Sequence, residues 1–471
     1  MKTYIAIVCS LILSGLVIGC SDDPNYVMNR PDIHEHPSMV EIEDFHTYKA
    51  PLYWSVYENC LNQMDLDFNQ RKFTIEQWKE VIDWVAKELK PHGYDMVCTD
   101  GFLPTEVAEG ESFKTHYGTA AFKDIIDYAH SKGLKVGIYD IPMDYPNANR
   151  DKVPGTDYTF GSLTYNPETD VVVNPSASES FRFIVMSHPG AKEYVSGLLK
   201  HYKELGADFV RFDYLSYYED GFDRNTIVGK GYGRQNYADL LALIAQESKK
   251  LGLMVSLVMP HLYNDAEIES RYGHMIRIVR DTWDGGWPHT SSNDRGKLYN
   301  RWPNLNNQFD GFTYWSHLSG KNKVILDGDF TRLNTFKTDA ERRFCISIQL
   351  MAGGPIAVAD QPGTIGDNLK FYTNDEILAL NMDRFVGKPM SDELNSEGSN
   401  IWYGQMSNGD YIVGLFNRED NPKQFSLNLS ELGIATPVKV RDLWEHADQG
   451  TASALSATVE AHGCKIVRLS K

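Results

Sequence analysis

Two aspartates in this sequence have the surroundings that acid–base and nucleophilic chemistry on a sugar requires. Asp213 and Asp281 each follow a short apolar run that is typical of a strand. Cleavage of a glycosidic bond needs two carboxyl groups, because one protonates the leaving oxygen while the other meets the oxocarbenium-like centre from the opposite face. A helix N-cap is the alternative role for any single aspartate at such a position. The pair favours glycosidic bond cleavage.

The neighbours of each aspartate indicate which role it takes. Arg211 lies two positions before Asp213, so on a strand it points to the same face and its charge keeps the carboxylate ionised, as a nucleophile requires. Asp281 is followed by Trp283 and Trp287, whose apolar bulk favours a protonated carboxyl. We therefore expect Asp213 to be the nucleophile and Asp281 to be the acid/base.

The elements that must position these residues are short apolar runs that alternate with amphipathic helical stretches from Pro51 to about Asn381. The predicted strands are Leu52–Tyr57, Tyr94–Thr99, Leu134–Tyr139, Asp208–Asp213, Met254–Met259, Met275–Val279, Val324–Leu326 and Pro355–Ala359. The predicted helices include Thr74–Leu89, Ala120–Ser131, Ala191–Leu205, Asn236–Lys250 and Thr338–Met351. This alternation predicts an α/β fold, a (βα)₈ TIM barrel, in which reactive groups lie at the carboxyl ends of the strands. Further acids end predicted strands at Asp100, Asp140, Asp327 and Asp329.

Four segments are predicted along the chain. Residues 1–19 form a lipoprotein signal peptide, 20–49 a tether without periodicity, 50–384 the catalytic barrel and 385–471 a small C-terminal antiparallel β-sandwich. The sandwich is predicted from alternating runs at Asn400–Gln405, Asp410–Asn417, Lys423–Asn428, Val438–Asp442 and Cys464–Leu469. Between the barrel strands, Asp144–Ser178 has no periodicity and predicts a long loop on the catalytic face.

The N-terminus indicates export and a lipid anchor. An apolar run from Tyr4 to Ile18 is followed by Gly19 and Cys20, which resembles the lipobox of a bacterial lipoprotein. Cys20 is the predicted lipidation site, and a transmembrane helix is the alternative, although the run is shorter than a bilayer span requires. We expect an outer-membrane lipoprotein that faces the periplasm or the cell surface and touches the membrane only through this lipid.

Composition narrows the class of ligand. The chain has 46 Lys and Arg against 64 Asp and Glu, a formal charge of −18, which disfavours nucleic acid and favours neutral partners such as oligo- or polysaccharides. It contains neither a Gly-rich phosphate loop nor closely spaced histidines, so neither a cofactor nor a metal site is predicted. The cysteines left after export, Cys60, Cys98, Cys345 and Cys464, have no CxxC spacing, and their pairing stays open.

At the two aspartates the chain resembles glycoside hydrolase family 27, the melibiase-like family of the α-galactosidase clan. That family carries Lys-x-Asp at the end of strand four and Arg-x-x-x-Asp after strand six, where this chain has Arg211 to Asp213 and Arg277 to Asp281. Further segments similar to the family are Tyr94–Asp100, Leu134–Tyr139, Leu326–Phe330, Tyr411–Arg418, Val440–Trp444 and Ala461–Gly463. The resemblance implies that the sugar is bound by Trp54, Asp100, Tyr139, Arg211 and Arg277.

Departures from the family fall on the sugar pocket. The Asp-Asp that holds O4 and O6 in galactosidases is Asp100-Gly101 here, the lysine before the nucleophile is Arg211, and the strand-five Glu-Trp-Pro is Val258–Pro260. The resemblance implies a retaining exo-glycosidase that hydrolyses terminal α-galactoside-type linkages. A β-L-arabinopyranosidase with the same mechanism is one alternative, and an inactive surface glycan-binding lipoprotein is another.

Overall fold

The computed structural model describes residues 34–63, 73–100, 120–141, 152–166, 171–172, 183–223, 226–227, 231–299 and 302–471. Its strands are β1 Leu52–Ser55, β2 Met96–Cys98, β3 Lys135–Asp140, β4 Thr164–Asn166, β5 Val171–Val172, β6 Phe183–Ile184, β7 Phe209–Phe212, β8 Phe222–Asp223, β9 Thr226–Ile227, β10 Met254–Leu257, β11 Met275–Arg277, β12 Ile325–Asp327, β13 Phe330–Thr331, β14 Ile356–Val358, β15 Lys388–Pro389, β16 Ile401–Gln405, β17 Tyr411–Phe416, β18 Lys423–Asn428, β19 Val438–Asp442, β20 Ala447–Ala452, β21 Ala454–Val459 and β22 Cys464–Ser470. Its α-helices are α1 Tyr57–Asn62, α2 Ile75–Trp84, α3 Ala120–Ser131, α4 Ala191–Leu205, α5 Leu215–Asp220, α6 Arg234–Leu251, α7 Glu269–Tyr272, α8 Gln308–Trp315, α9 Asp339–Met351, α10 Leu369–Tyr372 and α11 Asp375–Met382.

Nine strands form one parallel sheet in the order β12-β11-β10-β7-β3-β2-β1-β14-β13. The two terminal strands of this sheet, β12 and β13, are consecutive in the chain and are separated only by Gly328 and Asp329. Because β12 pairs with β11 and β13 pairs with β14, the sheet returns to itself through this break in the seventh strand. The fold is a (βα)₈ barrel, as the sequence predicts.

Burial on two faces explains why the barrel strands are continuous apolar runs. Every residue of β1, β7, β10 and β14 is buried, as expected for parallel strands enclosed by helices.

The sequence also contains signals that mark where the helices begin and end. A capping box between Thr338 and Glu341 begins α9, and Gly206, with φ of +108°, ends α4 in a conformation that side chains disfavour.

The predicted elements agree with the observed ones in position and differ mainly at their ends. Helices α3 and α4 have the predicted bounds, whereas the predicted strand Met275–Val279 ends earlier, at Arg277. Three strands of the sandwich, β15, β20 and β21, are absent from the prediction. β20 lies exposed along almost its whole length and contains no large apolar residue, so its sequence lacks the alternation that marks a strand. The described part of the predicted loop Asp144–Ser178 includes β4 and β5.

The C-terminal region is a β-sandwich. A six-stranded sheet, β15-β16-β17-β22-β19-β20, packs on the pair β18-β21 around apolar side chains such as Leu415, Phe425 and Val467. The sandwich is joined to the barrel by a buried ion pair between Arg418 Nη1 and Asp310 Oδ1, 2.7 Å apart. The fold class is therefore a barrel followed by a sandwich, as predicted.

The N-terminal part of the described chain lies along the barrel. Residues 34–49 belong to the segment predicted as a tether, yet Phe45 is buried with its ring 3.8 Å from that of His274. The Val40 amide donates a hydrogen bond to the Tyr272 hydroxyl at 2.8 Å. The predicted signal peptide and Cys20 lie outside the described residues. No helix in the described ranges is long and apolar enough to cross a membrane.

Candidate active site

The two predicted catalytic aspartates lie at the same end of the barrel. Asp213 directly follows β7, and Asp281 lies four residues beyond Arg277, the last residue of β11. The strands are parallel, so their carboxyl ends open on one mouth. Asp100 and Tyr139, at the ends of β2 and β3, reach the same mouth.

Asp213 is held by two neutral donors. The Tyr139 hydroxyl donates to its Oδ2 at 2.7 Å, and the Tyr214 amide donates to its Oδ1 at 2.7 Å. Burial, followed by the negative charge of Asp281, raises the pKa of Asp213 to about 6, and these two hydrogen bonds oppose the rise. The effect of Asp281 on this pKa agrees with the position of both residues at the same end of the barrel. At neutral pH Asp213 is mostly ionised, as a nucleophile must be.

Arg211 has further partners besides the predicted one. Its charge lowers the pKa of Asp213, in the predicted direction, but burial, Asp281 and the two hydrogen bonds have larger effects on that pKa. Its guanidinium lies 2.8 Å from Asp327, 3.2 Å from Asp329 and 3.5 Å from Asp100. The planar guanidinium can contact three carboxylates at once, because its three nitrogens point in different directions.

Asp281 has a cationic partner. Arg277 Nη2 donates to Asp281 Oδ1 at 2.9 Å, while Nη1 of the same arginine lies 2.7 Å from Asp329 Oδ1. The predicted apolar neighbour Trp287 is engaged elsewhere, since its ring stacks at 4.1 Å on His462 of the sandwich. The loop after β11 turns the indole toward the C-terminal domain, so Trp287 belongs to the domain interface.

Trp54 does not line the mouth, contrary to the prediction. Its indole is fully buried, packs edge-on against Trp78 of α2 and donates to the Asp360 carbonyl at 3.1 Å. The pleat of β1 explains this placement, because neighbouring side chains on a strand point to opposite faces. The adjacent Ser55 points inward and hydrogen-bonds to Asp100.

Tyr57 is a site residue that the sequence reasoning missed. Its ring stacks on Phe330 at 4.0 Å, and burial together with the charges of Asp281 and Asp329 raises its pKa well above the ordinary value. It lies therefore beside the predicted acid/base. The signal was available in the sequence, because Tyr57 follows the first strand at the end where the site must lie.

Asp100 is the retained half of the pair that resembles a galactose clamp. Its carboxyl accepts a hydrogen bond from the Ser55 hydroxyl and faces the Arg211 guanidinium. Burial raises the pKa of Asp100, and the charge of Arg211 opposes this rise. The residue has φ of +42°, so the backbone turns sharply as it leaves β2. Gly101 lies outside the described residues. At the end of β10, Val258 and Met259 are buried and apolar.

Taken together, these contacts place two carboxyl groups in one mouth with different partners, the arrangement that glycosidic bond cleavage requires. Within the described ranges, no group of three or more His, Cys, Asp or Glu residues could hold a metal ion. The cysteines in these ranges, Cys60, Cys98, Cys345 and Cys464, are all free thiols.

Comparisons with known proteins agree with this arrangement. Residues 396–469 match the family model of the alpha galactosidase C-terminal beta sandwich domain. The isomalto-dextranase of Arthrobacter globiformis is 34% identical over 89% of this chain and 67% of its own length. The structure of isomalto-dextranase from Arthrobacter globiformis T6, complexed with panose, superposes with a TM-score of 0.81 and 32% identity over 93% of this chain and 76% of that one.

More distant relatives share the fold. An alpha-galactosidase of Oryza sativa subsp. japonica is 23% identical over 74% of this chain and 69% of its own length. A family 27 β-L-arabinopyranosidase of Geobacillus stearothermophilus superposes with a TM-score of 0.70 and 20% identity over 92% of this chain and 100% of that one. All these relatives bear the names of enzymes, which sets aside the alternative of an inactive glycan-binding protein. The chain belongs to glycoside hydrolase family 27.

Proposed function

We propose that this hydrolase acts with retention of configuration, with Asp213 as the nucleophile and Asp281 as the acid/base. The observation that carries the proposal is the pairing of two carboxyl groups in one mouth, one held by Tyr139 and the Tyr214 amide, the other by Arg277. Both donors are uncharged, so they hold the Asp213 carboxylate in place and do not neutralise its negative charge. The nucleophile thus keeps its charge for attack on the anomeric carbon.

Two displacements complete the reaction. In the first, an oxygen of Asp213 bonds to the anomeric carbon, the bond to the leaving oxygen breaks, and the proton of Asp281 passes to that oxygen. In the second, water gives a proton to Asp281 and its oxygen replaces Asp213 at the anomeric carbon. After the second step, the Asp213 carboxylate is free and Asp281 is protonated again, so the reaction needs only the glycoside and water.

For the substrate, we propose an α-1,6-linked glucan of the dextran type, attacked from its end with release of isomaltose. Support comes from the relative named isomalto-dextranase, whose identity of 34% exceeds the 23% of the rice alpha-galactosidase. The pocket adds a second argument. One acid of the galactose clamp is missing at position 101, and the strand-five position that carries Glu in galactosidases is Val258.

A terminal α-galactoside or β-L-arabinopyranoside is the second candidate. Asp100 favours it, because this carboxyl remains at the end of β2, where the resemblance places recognition of the axial O4. Against it stands the engagement of the same carboxyl with Ser55 and Arg211. A carboxylate has about four acceptor directions, so these contacts leave fewer of them for a sugar hydroxyl.

A product analysis distinguishes the candidates. Purified enzyme is incubated with dextran, isomaltotetraose, p-nitrophenyl α-galactoside and p-nitrophenyl β-L-arabinopyranoside, and released sugars are separated by anion-exchange chromatography. We expect isomaltose from the two glucans and little nitrophenol from the two aryl glycosides. Release of nitrophenol with intact glucans would replace the glucan proposal by the second candidate.

The mechanism is tested on whichever substrate is cleaved. Proton NMR before mutarotation should show the first product with the anomeric configuration of the substrate, because two inversions restore it. Asp213→Asn and Asp281→Asn should each lower kcat by orders of magnitude at unchanged circular dichroism. An inverted first product would mean that Asp213 activates water instead of attacking the sugar.

A further inference from the structure

The break in the seventh barrel strand places a buried aspartate beside the residues that hold the proposed acid/base. Asp329 separates β12 from β13 with φ of +69°, a backbone conformation that aspartate tolerates better than most residues. Its amide donates to Asp327 Oδ1 at 2.8 Å, which holds the turn. The side chain is almost completely inaccessible to solvent. It is thus fixed at the point where the barrel closes.

One oxygen of Asp329 holds the backbone next to the acid/base. Oδ2 accepts hydrogen bonds from the Thr282 amide at 2.8 Å and from the Thr282 hydroxyl at 3.0 Å. Thr282 directly follows Asp281, so these bonds fix the main chain on the C-terminal side of Asp281. Beyond the end of β11, the Ile278 amide donates to the Asp327 carbonyl and the Arg280 amide donates to the Leu305 carbonyl, both at 3.1 Å, so the chain is held before Asp281 by its backbone and after it by Asp329.

The other oxygen of Asp329 reaches the side chain of the acid/base through an arginine. Oδ1 lies 2.7 Å from Arg277 Nη1, and Nη2 of the same guanidinium donates to Asp281 Oδ1 at 2.9 Å. A planar guanidinium presents its donors in a rigid fork, so the position of one end determines that of the other. Asp329 therefore restrains Asp281 from its backbone and from its carboxyl.

We propose that Asp329 is the positioning residue of the acid/base and that it also sets how strongly Arg277 binds Asp281. This inference rests on the proposed role of Asp281. Two guanidinium groups serve four carboxyl groups in this network, Asp100, Asp281, Asp327 and Asp329. Because Arg277 divides its charge between two acids, Asp281 can still take up the proton that it must donate.

Loss of the Asp329 charge would leave Arg277 to Asp281 alone. In Asp329→Asn, the full cationic charge would favour ionised Asp281, and the amide group would face Thr282 or Arg277 with a donor where an acceptor is needed. General acid catalysis contributes about 10²–10⁴-fold in rate. We expect the variant to lose about 10²-fold in kcat on a substrate that needs protonation, and the alkaline limb of its pH profile to move to lower pH.

Leaving-group dependence separates positioning from general damage. An aryl glycoside with a good leaving group needs little protonation, so a misplaced acid affects it less than an oligosaccharide. We would compare isomaltotetraose with 2,4-dinitrophenyl α-isomaltoside, following glycosylation by stopped flow. For Asp329→Asn we expect at least ten times more loss on the oligosaccharide than on the aryl glycoside, the ratio expected for a positioned acid.

Asp360→Asn is the matched control. Asp360 is equally buried, follows the adjacent strand β14, and accepts hydrogen bonds from the Leu333 amide and the Tyr372 hydroxyl, with neither arginine among its partners in the described structure. Any loss of rate in this variant should be equal on the two substrates. Thr282→Val, which removes the hydroxyl contacts with Asp329 and the Phe330 carbonyl and keeps the amide bond to Asp329, should show a weaker form of the same dependence and serves as the test if Asp329→Asn does not fold.

The outcomes are distinguishable from those of the proposed function. Equal losses on both substrates in Asp329→Asn, or leaving-group dependence in Asp360→Asn, would overturn the positioning role. Asp281→Asn provides the reference. If that variant lacks leaving-group dependence, the acid/base assignment itself fails, whereas dependence in Asp281→Asn without dependence in Asp329→Asn overturns only the inference about Asp329.

Discussion

Replacement of Asp213, the proposed nucleophile, by asparagine should stabilise the folded protein while it abolishes turnover. Burial and the charge of Asp281 raise the pKa of Asp213 from 3.8 to about 6. A shift of that size means that the ionised carboxylate costs about 3 kcal/mol in the folded chain relative to the unfolded one. Solvent reaches part of the side chain, so we expect a gain of about 1–3 kcal/mol in the free energy of unfolding.

The sign of the pH dependence follows from the direction of this shift. A carboxyl with a raised pKa binds its proton more tightly in the folded state, so its contribution to stability is full below about pH 4 and declines as pH rises to about 6. The variant has no such group. The stability difference between Asp213→Asn and the wild type should therefore grow from about pH 4 to about pH 6 and stay constant above it.

Asparagine preserves most of the local hydrogen bonding, which makes the comparison clean. Its Oδ1 can accept from the Tyr214 amide as the carboxylate does, and the Tyr139 hydroxyl can rotate to accept from the new amide group. Thermal unfolding followed by circular dichroism across this pH range measures the difference, with Asp367→Asn, at an exposed position, as the control. A variant no more stable than the wild type at about pH 8, or a difference independent of pH, would refute the reasoning.

Further expectations concern activity, stability and location. The kcat/KM of the wild type should fall on the acid side below about pH 6, because protonated Asp213 cannot attack, and a limb near about pH 4 would contradict the raised pKa of that carboxyl. Glu219→Gln should raise the melting temperature increasingly as pH rises above about 5, since burial raises the pKa of Glu219 and its ionisation opposes folding, whereas a pH-independent effect would exclude this cause. Arg418→Met should lower the free energy of unfolding in urea by about 3–5 kcal/mol, because Asp310 is left buried without its cation, and adding Asp310→Asn should recover part of the loss. Cys20→Ser should release the exported protein from the membrane fraction if the lipid is its anchor, and persistent membrane association would contradict the predicted lipidation.

The fold could be predicted because its signals are local. Alternating apolar runs and amphipathic stretches identify strands and helices one at a time, and eight repeats of that unit imply a barrel. The break between Gly328 and Asp329 could not be predicted in this way. It is visible only in the pairing of β12 with one neighbour and β13 with another, which depends on residues far apart in the chain. The exposed strand β20 is not predicted, because a strand that solvent covers on both faces does not need alternating apolar and polar residues.

The sequence predicts which acids lie at the candidate site and does not predict their side-chain partners. Strand ends identify Asp213 and Asp281, because a barrel brings all carboxyl ends together. Side-chain partners depend on angstrom distances between strands, so the sequence could assign Arg211 to the nearest acid in the chain but not to Asp327 and Asp329. The error at Trp54 has a simpler origin, since the pleat of a short strand decides which of its aromatic residues faces the mouth.

Two departures from the galactosidase pattern involve direct neighbours of the same carboxyl group, that of Asp100. The resemblance places a lysine at position 211 and a second aspartate at position 101, and the residues in those places, Arg211 and Gly101, are a partner and a chain neighbour of Asp100. A lysine, with one compact charge, could not serve Asp100, Asp327 and Asp329 together as the guanidinium does. Because Asp100 and Asp329 share this arginine, a change at the proposed sugar pocket also affects the residues that hold the proposed acid/base. We therefore expect that restoring the second aspartate alone would not create a galactosidase, and that the lysine must be restored with it.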